Sequence, residues 1–498
     1  MDRSVAQGRP GVPVGDRLDT GRSEPRPRPW LALAGGLVLV VLAFGIYSAS
    51  RVDRVYDHFV WQAAAFLEGQ AAIRYPVDAA PGAPMGNWFF QDVLPILSSD
   101  GVPRGLLPFP PLPAVILLPF VAAFGLATDD QLLFTTLAAI DVGICWWMLG
   151  RLRIAAAVRL LTTVFFAFGT TFWYAAQLAT TWYQAHIVAV GLTMLAVGLA
   201  LRADPAAQDD EPGFDDPDHV PTPVPPSTRP LERLRVDPRQ LVAGLLFGLA
   251  ATARLTVVVA APFFMLVGSG GSWWRRSWSA GLGALIPVGL LLAYNVATTG
   301  QVLHPAYDYL YRLETAAYTA LGYEPTWAVE DPRYLPHNAG IMFLTGPDLF
   351  PTELPDSLGV RDDPVCTTPG AERGLFDVRC PLAVPRDIGM SVLLTSPVWL
   401  FVIPALRRYG RSRLVTGAAL ATLVIVLVNL MHFSQGWVQF GYRFSLDAAP
   451  FALVLVALGL QSLVDAGRRW AMPLAATLVV VSIAVNAWGV AWARMLGW

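Results

Sequence analysis

The sequence predicts an all-α, polytopic membrane protein, and three observations carry that prediction. First, 54% of the 498 residues are hydrophobic and 14% are charged, whereas soluble domains carry about 25% charged residues. Second, apolar runs of about 15–20 residues recur along the chain, the length needed to cross a hydrocarbon core. Third, these runs lack the ten-residue alternation of outer-membrane barrels, which excludes that class. A net charge of −2 implies no nucleic-acid partner. All 35 basic residues are Arg, which, with abundant Ala, Gly and Pro, reads as coding bias in a GC-rich genome.

Residues 1–29 are rich in Arg, Pro and Gly and are expected to be a disordered tail. The run from Trp30 to Tyr47 precedes Ser48-Ala49-Ser50, as a signal peptide would. It is long for a cleaved h-region and reads as a retained helix. Clear spans follow at 130–150, 156–172, 179–201, 279–297, 389–406, 413–432, 444–464 and 471–494. Two stretches are ambiguous. The segment 239–269 is one long span or two short ones around Arg254. The segment 109–126, "FPPLPAVILLPFVAAFGL", is short and broken by prolines.

Arginine placement sets the count. Arginines cluster in the N-terminal tail, at 151–153, around 202–239, at 275–276, at 407–413 and at 468–469, and the positive-inside rule assigns all of these to the cytoplasm. The segment 239–269 must then cross twice, as helices of about 239–252 and 255–269 meeting near Arg254 on the outer side. By the same parity, 109–126 lies at the outer interface. The expectation is about eleven spans, in a bacterial plasma membrane, with the N-terminus cytoplasmic and the C-terminus outside. Two outer loops are long: 49–129, with interfacial helices, and 298–388, an ordered cap with thirteen acidic residues against six Arg. The acidic, Pro-rich 202–239 linker should be disordered. Cys145 lies in a span and reads as a packed thiol. If the cap is extracytoplasmic, a Cys366–Cys380 disulfide is favoured over two free thiols. No Cys/His cluster has zinc spacing.

Several polar groups fall where chemistry could use them. Asp53, Asp57 and His58 follow the first span directly. They form a solvated helix end, or they supply a general base that takes a proton from an acceptor hydroxyl. Phe59, Ala63, Phe66 and Leu67 recur at helical spacing, so a short amphipathic helix follows. Arg254, between two apolar half-helices, is costly unless it reaches water or a partner. It is a snorkelling side chain or a guanidinium suited to a lipid phosphate. In "GWVQFGYRFSLDAAPF", Gly436 to Phe451, Arg443 and Asp447 stand four apart. They form a simple ion pair, or the pair aims Arg443 at a phosphate. Trp182 and His186 share one face of the 179–201 helix, where an aromatic belt and a hydrogen-bonded core histidine are the competing readings. Tyr442 and the cap residues His304, Tyr307, His337 and Asn338 are candidates to line a sugar or acceptor site.

This layout resembles the GT-C membrane glycosyltransferases, in the broad group of protein O-mannosyltransferases and aminoarabinose transferases. The resemblance spans nearly the whole chain, so residues 30–498 would form one GT-C-like membrane domain. It rests on the acidic first outer loop ending in "AAFLEGQ", the start "PFPPLPAV", the "GLAATARLT" turn and the long outer loop after span seven. "DHFVWQAAAFLEG", "YNVATTG", "GMSVLLTSP" and "QFGYRFSLDAAPF" also look like motifs of a bacterial branch of that group. The resemblance implies transfer of a sugar from a polyprenyl-phosphate donor to an acceptor hydroxyl on the outer face, with inversion. Asp57 or Asp53 would be the base, Arg254 and Arg443 the phosphate ligands, and His58 a group that orients Asp57 or contacts the sugar. Trp182, His186, Tyr442, Asp447 and His337 would contact substrate. The chain departs from the family at Asp57-His58, where Asp-Glu or Asp-Pro is usual. The loop "YAAQLATTWYQ" also lacks the second acidic motif of oligosaccharyltransferases, so no divalent metal and no other cofactor is expected.

The expected partners are a polyprenyl-phosphate-linked sugar, a glycan, lipid or protein acceptor, and membrane lipids. The competing class is a transporter or lipid flippase without bond chemistry. Against it, Asp141 is the one charged residue in mid-span, and no inverted pair of broken helices occurs. A catalytically dead scaffold on the same fold is the third reading.

Overall fold

The computed structural model describes residues 29–52, 56–74, 92–96, 101–204, 235–313, 322–354, 363–436 and 438–498. Asp53, most of the N-terminal tail and most of the 202–239 linker lie outside the described residues. Six helices are long and apolar enough to cross a membrane: α1 (Pro29–Ser50), α4 (Asp130–Leu149), α7 (Thr181–Ala203), α10 (Trp273–Thr299), α15 (Arg413–Met431) and α17 (Ala471–Leu496). A seventh crossing arises if α5 (Ala156–Phe168) and α6 (Phe172–Leu178), bent by 47°, are one span. The chain is therefore a multi-pass membrane protein. Its lipid-facing surface shows as outward apolar side chains, among them Leu33 and Val41 of α1, Leu290 of α10 and Val480 of α17. Shorter apolar helices include α8 (Pro238–Ala251) and α16 (Ala449–Asp465).

The expected spans are not all continuous helices. The 389–406 segment breaks into α13 (Val392–Thr395), a 3-10 turn over Pro397–Phe401 and α14 (Val402–Tyr409). Pro397 supplies no N–H and pushes Ser396 out of the helical region, to φ −147° and ψ 64°. The 239–269 segment breaks at Arg254 as the sequence leads one to expect. α8 ends at Ala251, Arg254 is extended (φ −140°), and a 3-10 turn over Leu255–Ala260 leads to α9 (Pro262–Leu266). α8 lies close against α10 because Gly244 and Gly248 let the backbones meet. A methyl group on Gly244 would lie 2.0 Å from the Ala280 carbonyl oxygen. Small residues drive helix pairing in lipid, where burial of apolar surface gives no preference for helix over acyl chain.

The segment between α1 and α4 holds α2 (His58–Leu67) packed on α3 (Leu112–Phe124), the helix expected at the interface. α2 is amphipathic as predicted, but it buries most of its faces, Phe59, Val60, Trp61 and Ala63 among them. Strands β1 (Ile73–Arg74), β2 (Leu94–Ile96) and β3 (Arg104–Leu106) form an antiparallel sheet in the order β1-β3-β2, with Ile73 and Pro95 opposite Gly105. The segment between α10 and α13 holds α11 (Ala306–Leu313), α12 (Leu335–Leu344) and the pair β4 (Asp348–Leu349) and β5 (Ala383–Val384). Cys366 and Cys380 are joined by a disulfide there, their Cα atoms 4.3 Å apart. A small apolar cluster of Ile341, Met342, Val392, Leu430, Tyr442 and Phe444 fastens α12 to the membrane helices. Asn338 adds to that seam by donating to the carbonyls of Leu430 (3.0 Å) and His432 (2.8 Å).

Candidate functional site

The first two turns of α7 organise the polar groups. The chain enters α7 from α6 through Ala179, a non-glycine residue in the left-handed region at φ 42°. That conformation costs about 1–2 kcal/mol. The Gln184 amide donates to the Ala179 carbonyl at 2.9 Å, which offsets part of the cost. From there Thr181 and Trp182 face the strap that follows α1, Gln184 faces α4, and Tyr183 and His186 face the turn before α16.

On the strap side, the Thr181 hydroxyl donates to the Tyr56 carbonyl (3.0 Å). The His58 Nδ1 lies 2.9 Å from the same hydroxyl. Since the hydroxyl hydrogen goes to Tyr56, Nδ1 carries the hydrogen of this bond. His58 is fully buried, and its ring packs edge-on against Trp182 and Phe109. Burial pushes its imidazole down to about 3, so it stays neutral and holds the strap on α7. Two further ties fix the strap to α4: Arg51 pairs with Asp129 at 3.0 Å, and Gln131 donates to the Val52 carbonyl at 3.0 Å.

Asp57 thereby sits half-buried at the N-terminus of α2. Its carbonyl accepts from the Val60 and Trp61 amides. Burial pushes its carboxyl up to about 6, in the range that suits a general base. A second buried carboxylate, Asp130, lies within electrostatic reach of it and accepts from the Gln184 amide at 2.5 Å. Trp182 donates its indole N–H to Asp92 at 2.6 Å, an arrangement that an aromatic belt does not explain.

On the other side, Asp447 collects five donors in a wholly buried position. Arg254 grips it with Nε (3.2 Å) and Nη2 (2.7 Å), and the Thr256 hydroxyl donates at 2.8 Å. The Asn429 amide donates at 3.4 Å and the His186 Nδ1 at 2.9 Å. Arg254 supplies the opposite charge that a buried carboxylate requires, and the other donors satisfy its remaining lone pairs. This corrects the expected pairing of Arg443 with Asp447. Residues 443–447 form a 3-10 turn, so positions four apart do not line up as they would in an α-helix. Arg254, read from the sequence as suited to a lipid phosphate, gives two of its five N–H donors to Asp447.

Arg443 is the other guanidinium of the site. It is half-buried between the rings of Tyr183 (5.3 Å) and Phe444 (5.5 Å). Among the described residues no carboxylate pairs with it, and its buried Nε has no hydrogen-bond partner. Gly436, at φ +82°, leaves room for it: a methyl group there would lie 2.6 Å from that Nε. Phe444 is the hub, with the Arg254 guanidinium 5.0 Å from its ring and the rings of His186, His432 and Tyr442 at 6.1, 6.1 and 6.2 Å. Tyr442 is buried in the cluster beneath α12, and among the described residues its hydroxyl has no hydrogen-bond partner. His337 lies exposed on α12, close to Gly322.

The structure thus brings Asp57, His58, Trp182, His186, Arg254, Arg443 and Asp447 around one helix start. Tyr307 lies within electrostatic reach of Arg254, Arg443, Asp92 and Glu330, so the cap faces the same region. Sequence reasoning did not single out Asp92, Asp130, Tyr183, Thr256 or Asn429. Asn429 had a signal, an amide in an otherwise apolar span.

No family model matches the chain, and no curated protein matches it. Solved structures do. ArnT from Cupriavidus metallidurans bound to undecaprenyl phosphate is 11% identical and aligns over 93% of this chain and 78% of its own, with a TM-score of 0.48. The apo oligosaccharyltransferase of Archaeoglobus fulgidus is 13% identical over 94% of this chain and 57% of its own, with a TM-score of 0.42. The archaeal oligosaccharyltransferase AglB from that organism, in complex with an inhibitory peptide and a dolichol-phosphate, gives 13%, 93%, 56% and 0.40. These neighbours are GT-C glycosyltransferases.

Proposed function

We propose that this protein is a membrane glycosyltransferase that moves a sugar from a polyprenyl-phosphate donor to an acceptor hydroxyl on the outer face, with inversion at the anomeric carbon. One observation carries the reading. The start of α7 holds two groups: Thr181 bonds Tyr56 and His58, the neighbours of the half-buried carboxylate Asp57, and Tyr183, two residues on, packs on Arg443, a guanidinium that no carboxylate neutralises among the described residues. Inverting transfer needs both groups. Asp57 takes the acceptor proton as the acceptor oxygen attacks the anomeric carbon. The bond from that carbon to the phosphate oxygen breaks, its electrons stay on the phosphate, and Arg443 stabilises the added charge. Arg254, braced by Asp447, borders the same subsite, and the Tyr307 face of the cap closes over the sugar. His58 acts through the strap. The membrane would be a bacterial plasma membrane, with the N-terminus cytoplasmic and the C-terminus outside.

The test is Asp57→Asn, assayed for consumption of polyprenyl-phosphate sugar in membranes of the expressing strain. Loss of a general base should slow transfer about 10²–10⁴-fold while the protein still inserts and melts cooperatively. Full activity in that variant and in Asp53→Asn would refute the base. Movement of unmodified substrate through sealed vesicles, with no transfer, would favour the transporter class.

A further inference from the structure

We infer that Asp447 is a specificity-determining residue that sets the charge of the donor subsite, so that it accepts a lipid carrying a single phosphate and rejects a diphosphate. The inference rests on the donor reading above and concerns which donors fit that site. Two guanidiniums flank the Phe444 ring, Arg254 at 5.0 Å and Arg443 at 5.5 Å. Left alone they would offer two positive charges in a partly dry setting, a match for a diphosphate. Asp447 cancels one of them. It is wholly buried, and three groups besides the Arg254 guanidinium fork donate hydrogen bonds to it: Thr256, Asn429 and His186.

The fixed charges of the subsite then leave one positive charge net, that of Arg443. This matches the single negative charge of a sugar phosphodiester. The surroundings reinforce the choice. Tyr307 shares its neighbourhood with Arg254 and Arg443 on one hand and with Asp92 and Glu330 on the other. A second phosphate reaching beyond the two guanidiniums toward Tyr307 would meet carboxylates. Like charges at such range discourage binding as strongly as opposite charges favour it.

The experiment measures binding of two short probes, farnesyl methyl phosphate and farnesyl diphosphate, to the full-length protein in nanodiscs. The wild type should bind the phosphodiester at least about tenfold more tightly than the diphosphate. Asp447→Asn keeps a hydrogen-bonding side chain and removes the charge, and it should narrow that ratio or invert it by improving diphosphate binding. A purely structural role would weaken both probes together. Arg254→Gln combined with Asp447→Asn restores the net charge and should return the ratio toward the wild-type value. A wild type that prefers the diphosphate overturns the inference, as does an Asp447→Asn protein that folds and keeps the wild-type ratio. If Asp447→Asn does not fold, the wild-type ratio still decides. Failure of both probes to bind the wild type, or undiminished binding to Arg443→Ala, would instead refute the donor reading itself.

Discussion

Asp57 and His58 are adjacent in sequence and opposite in chemistry. Burial lifts the Asp57 carboxyl to about 6 and lowers the His58 imidazole to about 3. If Asp57 is the base, transfer should rise with pH through about 6 and fall about tenfold per unit below it. A pH–rate profile of kcat/KM checks this, and a profile flat down to pH 5 would remove Asp57 from the mechanism. Stability supplies a second check, with signs that differ between the two residues. The raised carboxyl of Asp57 contributes stability below its unfolded value near 4, and that contribution is lost as pH rises through about 6. The lowered imidazole of His58 contributes stability above its unfolded value near 6.5, and that contribution is lost as pH falls toward 3. Between about pH 4 and 6 the two oppose each other. Melting temperatures in detergent should therefore rise on acidification in His58→Gln and fall in Asp57→Asn, relative to the wild type. His58→Gln should also cost about 0.5–1.5 kcal/mol through the lost Nδ1–H bond to the Thr181 hydroxyl, which keeps its own bond to the Tyr56 carbonyl. The adjacency of the two residues was legible in the sequence; their division of labour was not, because it depends on Thr181, 123 residues away.

At the scale of elements, the breaks in helices do more for the site than the helices themselves. The turn before α16 carries Arg443 and Asp447, the break after α8 carries Arg254, and the left-handed entry to α7 offers the Ala179 carbonyl to Gln184. The Arg254 break was readable from one charged residue between two apolar halves. The 3-10 turn of Arg443–Asp447 was not, since an α-helical reading of the same residues gave a different ion pair. Gly436→Ala tests the turn directly. A left-handed φ and a methyl group 2.6 Å from the Arg443 Nε should cost about 1–2 kcal/mol and displace the guanidinium. Farnesyl methyl phosphate affinity should fall, while Gly300→Ala, a left-handed glycine with open space around it, should keep it. The α8–α10 seam makes a separate prediction. Gly244→Leu cannot be accommodated against the Ala280 backbone, so the yield of monodisperse protein in detergent should collapse. Leu245→Ala, one position along α8, should be tolerated far better.

The whole molecule is a bundle of apolar helices with two long segments between them, one before α4 and one after α10. Within the second segment the Cys366–Cys380 bridge closes a loop with a sequence separation of 14 residues, worth about 3 kcal/mol in the chain-entropy view. Two consequences follow if the cap lies on the oxidising side of the membrane, as proposed. In intact spheroplasts, a membrane-impermeant maleimide should label the protein only after an impermeant reductant is added, and labelling without reductant would contradict the bond. Cys366→Ser with Cys380→Ser should raise the protease sensitivity of the 363–386 region and leave the membrane helices folded. Labelling only after the membrane is opened would instead place the cap in the cytoplasm and reverse the proposed orientation.

Composition and apolar run length by themselves determined that this chain lives in a membrane, where its main crossings lie and that two long segments stand outside them. Those properties are summed along the sequence, and the bilayer reads them locally. The site was different. The sequence pointed to Asp57, Arg254, Arg443, His186 and Asp447 as separate candidates, and most do meet. It could not say that Asp447 neutralises Arg254, 193 residues earlier, and leaves Arg443 to carry the charge. Ion pairing between buried groups is decided by which side chains the packed helices bring within hydrogen-bond reach. Sequence spacing describes that only within one regular helix, and the Arg443–Asp447 segment is not one.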